Sequence, residues 1–163
     1  MSENDHVDRI QEQWRLERPD LDVSPAGVIG RLHRLGDRLR EEVIKTYRRY
    51  GLGEGEFDVL AALRRQGAPY ELAPGELARH TMVTTGAITK RIDRLEESGL
   101  VARRGNAADA RGRIVGLTDA GLRVIDEAFT EHMRNEARLV SVLSPEERAQ
   151  LEGLLRGWLL RLE

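Results

Sequence analysis

The chain has 163 residues, enough for one domain with a proper core. Charged residues make up 33% and aromatic residues 4%, and cysteine is absent, which excludes disulfides, thiol catalysis and cysteine-ligated zinc. No apolar run approaches the ~18 residues needed to cross a bilayer, and the opening MSENDHVDRIQEQW is too polar for a signal peptide. The expectation is a cytoplasmic protein with no membrane contact, rich in helix.

A formal net charge of −2 conceals an asymmetry. Between Arg79 and Arg113 eight Lys or Arg residues stand against four Asp or Glu, so the acidic excess lies elsewhere.

From about residue 4 to residue 18, Val7, Ile10 and Trp14 recur at helical spacing in a polar stretch, which predicts a short amphipathic helix ended by Arg18-Pro19-Asp20. Ser24-Pro25 reads as a helix start, Ser at the N-cap and Pro at the first helical position. That helix runs to about Tyr50, with Val28, Leu32, Leu35, Leu39, Val43 and Tyr47 on one stripe. Gly51, Gly53 and Gly55 mark a turn, a compact helix follows from Glu56 to about Arg65, and Pro69 sits in a loop. Pro74 opens a short helix through His80, and Thr84 or Thr85 caps the next, which ends at Gly99. Residues 100–103 and 113–117 read as strands around a polar tip at 105–112. Thr118 or Asp119 caps a long helix bearing Leu122, Ile125, Phe129, His132, Leu139 and Leu143. Ser144 with Glu147 forms a capping box for the last helix, which carries Leu151, Leu154, Leu155, Trp158 and Leu162 on one face.

Two short helices, a tight polar turn and a hairpin compose a winged helix-turn-helix. The fold class is mainly α with a small β-hairpin wing (α+β), flanked by long N- and C-terminal helices. In the second helix of the motif, residues 84–98, Ile88, Ile92 and Leu95 face inward, while Thr85, Thr89, Lys90 and Arg94 face outward. Thr84 and Thr85, short and hydroxylated, can approach base edges from its N-terminal end. An ordinary solvated surface helix explains this segment equally well when taken alone. The hairpin tips the reading towards duplex DNA: Arg111 and Arg113 can enter a minor groove, with Asp109 to hold them in position.

Leu-Ala-Arg-His (77–80), Ile-Thr-Lys-Arg-Ile-Asp-Arg-Leu-Glu-Glu-Ser-Gly-Leu-Val (88–101), Asp109-Ala-Arg111 and Val-Gly-Leu-Thr-Asp-Ala-Gly (115–121) resemble the MarR family, over essentially the whole chain. The resemblance implies one MarR-type domain over 1–163: an extra helix and a dimerisation helix in 1–50, a winged helix-turn-helix lobe in 55–118, and dimerisation helices in 119–163. It implies a homodimer on a pseudo-palindromic double-stranded DNA operator, with no cofactor. The apolar stripes of both terminal segments, which nothing else in the chain covers, agree with a dimer.

Three residues sit oddly in this pattern. Arg91 falls on or beside the inward stripe, Asp58 lies in a helix that should pack near it, and Trp14 is the one aromatic of the N-terminal helix. A structural ion pair and a packing anchor are the plain readings. The extra N-terminal helix also resembles the urate-responsive subgroup (HucR- and PecS-like), whose ligand residues match Trp14, Asp58, Arg91 and Arg103 here. A flat anionic purine can stack on indole, pair with guanidinium and displace a carboxylate. A related subgroup answers to tricarboxylates such as citrate and trans-aconitate, and arginine does not distinguish the two. The stacking role of Trp14 favours urate. By the same resemblance His33, near Gly36, matches a histidine that stacks across the dimer axis and makes a candidate pH switch; an exposed or satisfied histidine is the alternative. His6, His80 and His132 lack metal-ligand spacing.

No phosphate loop, nucleophile with a base, or paired carboxylates point to an enzyme. A helical protein-interaction module is the remaining alternative, and a DNA reader would differ from it in losing affinity steeply with salt.

Overall fold

The computed structural model describes residues 4–81, 85–106 and 109–163, and within these every side chain except those of residues 85, 106 and 109–112. The chain divides into two compact units, Met1–Glu42 and Val43–Glu163.

In the first unit, α1 (His6–Glu17) begins where Asp5 accepts hydrogen bonds from the Val7 and Asp8 amides, at 2.7 and 3.0 Å. The Asp8 carboxylate takes the Asp5 amide in return at 3.0 Å, which closes a capping box. The face that packs is Val7 with Gln11; Ile10 and Trp14 stay exposed, so the expected stripe is only partly the inward one. The reason lies in α2 (Pro25–Arg48), whose Gly27 and Gly30 admit Gln11 and Val7 closely. A Cβ at Gly27 would lie 3.1 Å from Gln11 Nε2, and one at Gly30 would lie 3.3 Å from Val7 Cγ1. Gln11 Nε2 donates to the Val23 carbonyl at 2.8 Å, and Arg31 bridges Asp5 and Asp8. Pro25 does open α2, but the Ser24 hydroxyl donates to Asp22 at 2.9 Å instead of capping the helix.

The second unit starts with the last turns of α2. Gly51, at φ 70°, takes the left-handed conformation that turns the chain. Helix α3 (Glu54–Arg64) then begins two residues earlier than expected, with Gly53 as its N-cap and Gly55 inside its first turn. Strand β1 (Glu71–Leu72) follows, a third strand that sequence periodicity does not disclose because two residues show no alternation. Next come α4 (Pro74–His80), α5 (Thr85–Glu97), β2 (Val101–Asn106) and β3 (Asp109–Leu117). The sheet order is β1-β3-β2, antiparallel throughout, so the wing is a hairpin plus a short outer strand. Pairing runs from Val101↔Leu117 to Asn106↔Asp109, with a bulge at Gly105/Asn106, so strand structure enters what read as an unpaired tip.

Helix α6 (Asp119–Val140) is capped by the Thr118 hydroxyl, which accepts from the Gly121 amide at 3.0 Å and donates to the Gly99 carbonyl at 2.7 Å. Helix α7 (Pro145–Leu159) opens with the expected Ser144–Glu147 capping box. The core gathers Leu60 and Leu63, Leu77, Ile88, Ile92 and Leu95, Val101, Val115 and Ile125, all at 2% exposure or less. Burial of such side chains, at about 1.5–3 kcal/mol each, is what holds α5 in place. Among the described residues no helix is long and apolar enough to cross a membrane.

Candidate functional site

Helix α5 is clamped on one side and open on the other. Ile88, Ile92 and Leu95 lock it into the core, which leaves Thr89, Lys90 and Arg94 exposed as expected. Arg94 Nη1 also reaches Glu56 Oε1 on α3 at 3.1 Å, a tie across 38 residues that spacing did not signal. Thr84 lies outside the described residues, and Thr85 is the first residue of α5 with its side chain among those not described. Arg113 is exposed on β3 opposite Gly105; the side chains of Asp109 and Arg111 lie outside the described ones.

Arg91 stands on the face of α5 turned towards the start of α3. Its guanidinium crosses Gly55 so closely that a Cβ there would overlap Nε and Cζ. Its Nη1 is fully buried with no hydrogen-bond partner. A buried guanidinium N–H without an acceptor forgoes a charge-assisted bond, a cost that an arriving anion removes. Asp58 on α3 is near enough to feel this charge, yet no ion pair joins them. Burial pushes the Asp58 carboxyl above the usual carboxylate range, Glu54 adds to the effect, and Arg91 only partly opposes it. The plain reading of Asp58 and Arg91 as a structural ion pair therefore does not describe this chain.

Arg103 is differently placed. From β2 its guanidinium pairs with both Asp93 and Glu96 of α5, and its backbone N–H donates to Glu96 Oε1 at 3.0 Å. These bonds hold the Glu96 carboxyl below the usual range, the backbone donor first among them. Trp14 belongs to the first unit and is 53% exposed. His33 is exposed on α2.

One further cluster escaped sequence reasoning. Tyr47 stacks on Phe57 with centroids 3.9 Å apart, and its hydroxyl lies 3.4 Å from His132 Nδ1. His132 Nε2 in turn lies 3.1 Å from Glu136. The spacing His132–Glu136 (i, i+4) was the available signal, but nothing local placed Tyr47 beside it.

Helix α5 packed through Ile88, Ile92 and Leu95 with Thr89, Lys90 and Arg94 exposed, followed directly by an antiparallel hairpin, defines a winged helix-turn-helix protein. A model of the MarR family matches residues 50–112. The chain is 41% identical over 149 residues to the HTH-type transcriptional regulator PecS of Dickeya dadantii (strain 3937), covering 91% of this chain and 90% of that relative. It is 31% identical over 119 residues to the HTH-type transcriptional repressor MdtR of Bacillus subtilis (strain 168), covering 73% of this chain and 75% of that one. Its fold is similar to a crystal structure of a MarR mutant from E. coli complexed with operator DNA, with a TM-score of 0.72 at 27% identity over 84% of this chain and 95% of that one. The chain belongs to the MarR family and is PecS-like: a transcriptional regulator, not an enzyme.

Proposed function

We propose that this chain is an effector-responsive repressor, a homodimer that leaves a pseudo-palindromic operator when it binds urate or a related purine. The observation that carries the effector half is the buried, unpartnered Nη1 of Arg91 beside the desolvated Asp58 carboxyl. The guanidinium can donate a charge-assisted bond to a planar anion, which repels or displaces the carboxylate. In this reading Trp14 supplies the stacking surface. Arg91 belongs to the DNA-reading helix, so an anion that captures it favours a geometry other than the operator-bound one. The DNA half rests on α5 and on the relative solved with operator DNA. Two copies would set their recognition helices in successive major grooves, about 34 Å apart. The dimer is supported by α7, which has no fully buried residue and leaves Leu154 and Leu159 exposed, and by exposed Val28, Ile29 and Leu35 on α2. His33 would then meet its counterpart near the dimer axis.

A tricarboxylate effector is the second reading, because Arg91 serves a small polyacid equally well. A gel-shift titration decides between them, using a duplex selected by the protein from random sequence. Urate is expected to weaken binding, Trp14→Ala to blunt the response without changing DNA affinity, and rising salt to weaken binding steeply. Citrate active with millimolar urate inert would overturn the purine, and neither active would overturn the effector reading.

A further inference from the structure

Arg91 and Arg103 serve opposite sides of the recognition helix. At about 100° per residue, Asp93 and Glu96 stand roughly 200° and 140° around α5 from Arg91, so both point away from it. Arg91 crosses Gly55 of α3, whereas Arg103 reaches Asp93 and Glu96 from β2. The helix body separates the two guanidinium groups. A ligand the size of a purine held at Arg91 does not also take Arg103 while the clasp is intact.

The clasp is well built for a different task. Three charge-assisted bonds converge on one point of the wing root: two from the Arg103 guanidinium and one from its backbone N–H to Glu96. The guanidinium side chain is only 20% exposed. Arg103 is registered opposite Val115, a buried core residue, so the clasp grips the part of the hairpin that is already fixed. Two residues further out Gly105 pairs with Arg113, the exposed cation of β3. Any tilt at Arg103 therefore moves Arg113 relative to Thr89 and Lys90 on α5. The neighbouring Arg104 points the other way and meets Glu71 of β1 at 3.1 Å, so the two sides of the sheet are tied separately.

We infer that Arg103 is a positioning residue, which clasps the wing root to the recognition helix and fixes the angle at which the two meet DNA, and that it is not a second cation for an effector held at Arg91. The inference rests on the DNA-binding reading above for its consequence, but the clasp itself is a property of the free protein.

The test exploits a sign. Asp93→Asn with Glu96→Gln removes two negative charges from the DNA-reading helix, and simple electrostatics then predicts tighter operator binding. The clasp predicts the reverse, a loss of about tenfold, the size of one charge-assisted hydrogen bond. Arg103→Gln should lose the same factor, the triple variant no more than either, and Arg103→Lys should recover part of it. Arg103→Gln should also keep the full fractional response to urate. In the free full-length protein, amide exchange at residues 103–105 should quicken several-fold in each Gln variant, which needs no DNA and so separates failure of the clasp from failure of the DNA reading. Operator binding as tight or tighter in the Asp93/Glu96 double variant, unchanged exchange in the wing, or loss of the urate response with operator affinity intact in Arg103→Gln would each overturn the inference.

Discussion

Asp58 is a carboxyl that α3 holds at some cost to stability. Its carboxyl is half-buried on α3, and burial raises its pKa more than the Arg91 charge lowers it. The native state therefore keeps the proton to a higher pH than the unfolded chain. Ionised Asp58 costs no stability below the ordinary carboxylate range, and the cost becomes complete as pH rises through the raised native value. Asp58→Asn is expected to stabilise the protein at neutral pH, with the gain vanishing as the pH falls towards about 4. Urea unfolding midpoints across that range would measure it, and a variant less stable at neutral pH would mean that Arg91 repays the burial. The oddity of Asp58 and Arg91 was legible in the sequence, since each interrupts a hydrophobic stripe. Gly55 was not: it reads as a turn residue, and only the path of the Arg91 side chain gives it another reason to lack a Cβ.

At the scale of elements, the joint between wing and long helix is the tightest point in the lobe. A Cβ at Gly121 would overlap the Leu100 carbonyl oxygen, which is backbone and fixed by strand and helix alike. The Thr118 hydroxyl spans the same joint, capping α6 and holding the Gly99 carbonyl. Gly121→Ala should therefore destabilise by at least about 3 kcal/mol, read as a lowered thermal midpoint. A change within about 0.5 kcal/mol would show that the joint yields. This also gives the Leu-Thr-x-x-Gly pattern at 117–121 a physical content: a cap, then a close approach. The caps of α6 and α7 and the inward stripe of α5 were legible because they involve neighbours within four residues. Strand β1 was not, because it exists only through its pairing with β3, where Gly116 leaves room for Glu71: a Cβ there would lie 2.8 Å from Glu71 Cγ.

At the scale of the whole molecule, apolar surface is left where one chain cannot cover it. No residue of helix α7 is fully buried, and Leu154, Leu155, Trp158 and Leu159 are all exposed on it. Contiguous apolar surface of this kind marks an interface with another protein surface, and in a homo-oligomer that surface is a second copy. Leu154→Glu with Leu155→Glu places charges on that face and should convert the proposed dimer to monomers in sedimentation at micromolar concentration. Operator binding should fall with it, since one recognition helix reads one half-site. A double variant that remains dimeric would place the interface elsewhere.

The sequence by itself determined the fold class, the order and most of the ends of the helices, the inward face of α5 and the family. These follow from periodicity, capping and turn chemistry, which act over a few residues. Only the tertiary structure decided which charges meet: Arg103 with Asp93 and Glu96, Arg94 with Glu56, and Arg91 with no acceptor for its Nη1. Those outcomes depend on which face of one helix packs against another element, and on where a glycine lets a long side chain pass. A guanidinium in the sequence is a charge looking for a partner, and the packing around it chooses the partner.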